Sequence, residues 1–68
     1  MPGKVVPRGM MQDFKMELRT LKTSESVSNA RQKVWMHMAT RFGRAYMQTN
    51  EAAIRAELAA AVKEVQGG

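Results

Sequence analysis

Sixty-eight residues leave room for one small domain, and exclude a multidomain enzyme or a doubly wound fold built from several βαβ units of about 30 residues each. The absence of cysteine excludes disulfides, thiolate catalysis and cysteine-ligated zinc, and the lone histidine cannot build a histidine metal site. The formal net charge of +5 is unevenly placed, because residues 27–50 carry Arg31, Lys33, Arg41 and Arg44 with no acid, whereas residues 51–68 hold Glu51, Glu57 and Glu64 against Arg55 and Lys63. A basic middle points to an anionic partner met there, with a merely solvated face as the alternative.

Residues 1–9 contain both prolines together with Gly3 and Gly9. Proline lacks an amide N–H and turns its predecessor away from helical geometry, so this stretch is expected to be an extended or disordered arm. It is too short and polar for the apolar core of a secretory signal. That, with the lack of cysteine, suits an intracellular location. The arm would either lie on a partner's surface or be a loose tail.

The first predicted helix covers residues 10–22. Met10, Phe14, Leu18 and Leu21 recur on one face, Asp13 and Glu17 lie toward its start, and Lys22 lies at its end, as the helix dipole prefers. Residues 23–28, TSESVS, are turn and capping residues, and Ser24 or Ser26 is the expected N-cap of the next helix.

The second predicted helix covers residues 27–48. Val27, Ala30, Val34, Met38, Ala45 and Thr49 fall on one stripe, flanked by Trp35, Phe42 and Tyr46. Gly43 within it marks a close helix crossing or a tolerated weak point. The third predicted helix covers residues 51–65, with Ile54, Leu58, Ala61, Val62 and Val65 on one face, Asn50 as N-cap, and Gly67-Gly68 after its end. The apolar faces of these last two segments lie about half a turn apart at 100° per residue. A break at Thr49-Asn50, making a helical hairpin, would bring both faces inward. The competing arrangement is one continuous rod packed between two partners.

The pattern therefore predicts an all-α protein of three helices, one short, one long and basic, one C-terminal. Together they form one helical domain over residues 10–66 behind the irregular arm.

No catalytic constellation emerges from the sequence. Asp13 and Glu17 are four apart on one helix, a spacing common on solvated faces, and Ser24, Ser26 and Ser28 have no histidine base nearby. No glycine-rich phosphate loop is present, so neither an enzymatic activity nor a cofactor is expected.

Two binding features stand out. Lys33, His37, Arg41, Arg44 and Gln48 fall within about 80° of the helical wheel, a stripe suited to successive phosphates or an acidic surface. Lys33, His37, Arg41 and Arg44 are the candidate residues for an anionic partner. Trp35 and Tyr46, eleven apart, lie near one another on the helix surface, and Met36 and Met47 share the side away from the main apolar stripe. Trp35, Met36, Tyr46 and Met47 are therefore the candidate protein-interface residues, the aromatic pair otherwise completing the edge of the core.

The chain is rich in methionine, poor in core and without covalent or metal staples, so self-association or a place in a larger assembly is the natural remedy. The leading expectation is a non-enzymatic accessory or structural subunit bound within a protein assembly. The second is a small basic nucleic-acid-binding protein using the stripe.

Overall fold

Pro7 ends the arm and starts the first helix: its carbonyl accepts from the Met11 N–H at 2.9 Å, and it stands as N-cap with φ −56° and ψ 143°. In the computed structural model, which describes residues 5–67, the helices are α1 (Arg8–Leu18), α2 (Ser24–Phe42), α3 (Arg44–Thr49) and α4 (Glu51–Gln66). The fold is all-α, with no strand among the described residues. The first four residues of the expected arm lie outside the described segment.

α1 starts two residues earlier than its apolar pattern indicates and stops at Leu18. Beyond it, the N–H groups of Arg19, Thr20 and Leu21 donate three residues back, to Met16, Glu17 and Leu18, the tightening expected of a terminal turn. The carbonyls of Leu18 and Leu21 also accept from Gln66 Nε2, at 3.0 and 3.1 Å, so the end of α4 helps close the end of α1. The N-cap of α2 is Thr23, whose hydroxyl oxygen accepts from the Ser26 N–H at 3.0 Å, in place of the expected Ser24 or Ser26.

The largest correction concerns the second helix. It ends at Phe42, because Gly43 takes φ 94° and ψ 164°, a conformation essentially confined to glycine. No neighbouring atom lies within 4 Å of the position a Gly43 Cβ would occupy, so the glycine serves the backbone turn and not a close crossing. A second bend at Asn50 (φ −109°, ψ 13°) separates α3 from α4, but the buried Met47, Ile54, Leu58 and Ala61 keep one helical phase across it, so the change of apolar phase falls at Gly43 and not at the expected Thr49-Asn50. Asn50 Nδ2 donates to the Tyr46 carbonyl at 2.9 Å across that bend.

The main interruption of the expected second helix therefore lies at Gly43, and the six residues of α3 lead into α4. α4 runs back along α2, with Glu51 near Ala39 and Thr40 and Leu58 near Ser28 and Arg31. α1 packs against both α2 and α4, while α2 and α4 approach each other less closely along their length. The core lies between them. Phe14 and Leu18 from α1, Met38 from α2 and Ile54 from α4 are its fully enclosed members, and Val27, Ala30, Val34, Leu58 and Ala61 surround them on the predicted faces. Ala45 and Thr49, placed on the same stripe by a straight-helix phase, are exposed. Met47 takes the inward place instead, at 3% exposure.

The part of the arm that is described packs on the body of the protein. Val6 is buried, and both oxygens of Glu57 accept from consecutive backbone N–H groups, Val5 at 2.7 Å and Val6 at 3.1 Å. The Tyr46 hydroxyl donates to the Val5 carbonyl at 3.2 Å. Residues 5–7 are thus a strap across α3 and α4.

Candidate functional site

The basic stripe of α2 does not stand alone in the folded chain. Lys33 Nζ lies 3.7 Å from Glu17 Oε2 of α1, and Lys33 and His37 share a shallow recess with Asp13 and Glu17. The acids missing from this part of the sequence are supplied across the α1–α2 contact. Arg41 is exposed and lays its guanidinium 5.6 Å from the centre of the Phe42 ring. Arg44 follows the turn at Gly43 and lines a different recess, on the side of Trp35 and Met47. The four residues grouped by a straight-helix wheel therefore divide between two sides of the fold.

Trp35 and Lys33 are two residues apart, hence about 160° apart around α2, and Trp35 faces the α4 side of the core. Half-buried, it lines two open recesses, one between α2 and α4 and one between α2 and the start of α3 and α4, which meet at its side chain and are taken together as the Trp35 groove. One recess, of about 390 Å³, is bounded by Arg31, Trp35, Arg55 and Leu58. The other, of about 420 Å³, is bounded by Trp35, Ala39, Arg44, Met47 and Glu51. Trp35 and Ala39 give the groove an apolar floor, backed by the buried Leu58 and Met47, and three arginines stand around it.

Arg55 holds a central position. Its Nε lies 3.0 Å from Glu51 Oε2, one turn back on α4, while its guanidinium carbon lies 5.4 Å from the centre of the Trp35 ring. The ion pair engages one of its five N–H groups, leaving others able to meet an incoming acceptor. Its charge over the indole is also favourable to the ring's negative face. Arg31, one turn before Trp35 on the same face of α2, is exposed.

The other expected interface residues separate in the same way. Tyr46 is partly buried, its ring stacked on Phe42 with centroids 4.7 Å apart and its hydroxyl committed to the strap. Met47 is in the core and offers little surface to a partner. Met36 stays on the outer side of α2 at 58% exposure, and Met16 of α1 is comparably exposed at 63%.

Sequence reasoning missed Arg31, Arg55 and Glu57 as residues of interest. Arg31 was within reach, being four positions before Trp35. The placement of Arg55 and Glu57 depends on how α4 folds back. Among the described residues, no group of three or more His, Asp or Glu side chains is arranged to hold a metal, and no helix is long and apolar enough to cross a membrane. No family model, curated protein or solved structure matches the chain.

Proposed function

We propose that this chain is a non-enzymatic helical accessory subunit that works by docking on a partner protein. The observation that carries this reading is the Trp35 groove, a half-buried indole on an apolar floor that opens to solvent between helices. Tryptophan and arginine are the side chains that most often dominate protein interfaces, the first by the area it buries, the second by directed hydrogen bonds. The groove combines both. The nucleic-acid alternative relied on an unbroken row of cations, and the pairing of Lys33 with Glu17 and the turn at Gly43 both weaken that row.

Binding to mixed DNA and RNA at several salt concentrations, for the unaltered chain and the Arg41→Gln/Arg44→Gln variant, separates the two readings. A protein-docking subunit shows no appreciable nucleic-acid binding near physiological salt. A chain that tracks phosphates loses affinity steeply with salt, with a log–log slope of about 0.9 per phosphate on duplex DNA, and the double variant lowers that slope by about one to two. That outcome would replace the proposed function.

A further inference from the structure

We infer that the Trp35 groove receives an acidic protein segment bearing apolar side chains, its carboxylates meeting Arg31, Arg44 and Arg55 and its apolar groups covering Trp35. The inference rests on the protein-docking reading and gives the partner a chemistry. Charge complementarity carries it. Three arginines bound the groove against one carboxylate, Glu51, which is already paired with Arg55. A guanidinium forms forked hydrogen bonds with a carboxylate, so cations around an apolar floor select a segment in which acids and apolar residues occur together. A purely acidic segment would leave the floor wet, and a purely apolar one would cover charged groups without pairing them.

A single-stranded nucleic acid is the other anionic occupant with flat apolar groups. The geometry favours the peptide for two reasons. Arg55 already lies over the indole that a base would have to stack on. The groove also presents Trp35 as its single aromatic wall, whereas strand-binding grooves stack successive bases on several rings. Apolar side chains need no flat platform and fit the partly exposed Trp35 and Ala39.

Trp35 is the chain's only tryptophan, so its fluorescence reports on the groove alone. The probe is a short synthetic peptide alternating glutamate with leucine. Three controls accompany it: the same peptide with lysine for glutamate, one with alanine for leucine, and oligothymidylate. The expected result is saturable binding of the glutamate–leucine peptide with a blue shift of Trp35 emission, and weaker binding of all three controls. Arg31→Gln and Arg44→Gln, both at exposed positions, each lower the affinity by about tenfold, the size of one lost charge-assisted hydrogen bond. Arg41→Gln, outside the groove, leaves it unchanged, and circular dichroism establishes that every variant keeps its helices.

Equal binding of the lysine peptide, tighter binding of oligothymidylate, or no response of Trp35 would each overturn the inference. The chain isolated gently from the cells that make it distinguishes this failure from that of the broader reading. A stable complex with another protein in which Trp35 remains open to iodide quenching overturns the groove assignment and leaves the docking subunit standing. Isolation as a free chain, with no response to the peptide, removes both.

Discussion

Glu57 ties two distant parts of the chain together through one side chain. Its two oxygens take the N–H groups of Val5 and Val6, more than fifty positions away, and so position Val6 against the core while Tyr46 holds the Val5 carbonyl. Hydrogen bonds to a charged acceptor contribute about 1.5–3 kcal/mol each where water is partly excluded. Glu57→Ala is therefore expected to destabilise the protein by about 2–4 kcal/mol, and Glu57→Gln, which keeps one acceptor oxygen, by roughly half as much. Urea unfolding measures both, and amide hydrogen exchange at Val5 and Val6 gives a local readout, since both N–H groups should exchange much faster in Glu57→Ala and at least one of them in Glu57→Gln. Unchanged protection at both amides would show that the strap is held by Val6 packing alone. None of this was legible in the sequence. Glu57 occupies an unremarkable place on an amphipathic helix, and residues 1–9 carry the proline and glycine content of a loose arm. Lys33 illustrates the same blindness from the other side: no acid lies near it along the chain, and Glu17 reaches it only through the packing of α1 on α2.

At the scale of elements, periodicity located what depends on one helix and failed where a backbone turn resets the phase. Val27, Ala30, Val34 and Met38 are the buried face of α2, and Ile54, Leu58 and Ala61 that of α4, as their spacing predicts. The same spacing carried past Gly43 assigns Ala45 and Thr49 to the core and Met47 to the surface, and all three assignments reverse. A glycine in a helical pattern is compatible with a continuous helix at a cost of about 1 kcal/mol, so the sequence alone leaves its conformation open. In the structure φ is 94° at Gly43, which an L-residue reaches at a cost of about 1–3 kcal/mol. Since no atom crowds the missing Cβ, Gly43→Ala isolates that backbone term. The expected loss is about 1–3 kcal/mol in chemical denaturation. D-alanine at position 43, accessible by chemical synthesis in a chain of this length, should recover the stability, because its preferred backbone angles mirror those of L-residues. An L-alanine protein at least as stable as the glycine protein, with the D-alanine protein the least stable, would mean that α2 and α3 can run on as one helix without penalty. It would also undo the division of the basic stripe, since Arg44 would return to the side of Lys33 and His37.

At the scale of the whole molecule, the enclosed core is small for the surface it must organise. Phe14, Leu18, Met38 and Ile54 are its large fully buried members, and Met16 and Met36 stay in water. The ion pairs are at least partly exposed, Arg55 with Glu51 and Lys33 with Glu17 among them, and such pairs contribute at most about 1 kcal/mol each. Without disulfides to raise it, the stability of the free chain should be low, and its thermal transition should depend on what it associates with. The expected behaviour is a melt at modest temperature whose midpoint rises with protein concentration through self-association, or with addition of a groove ligand. The second effect has a calculable size. A ligand present at about a hundred times its dissociation constant adds about 2.7 kcal/mol to the folded state, and in a domain this short that moves the midpoint by about 10–20 °C. Sedimentation and thermal melts over a dilution series, repeated with the glutamate–leucine peptide, measure both terms on one sample. A sharp, high-temperature transition independent of concentration, from a strict monomer, would show that the packing of α1 on α2 and α4 suffices by itself. The structural case for an obligate partner would then fall, and the Trp35 groove would have to be judged on its ligand affinity alone.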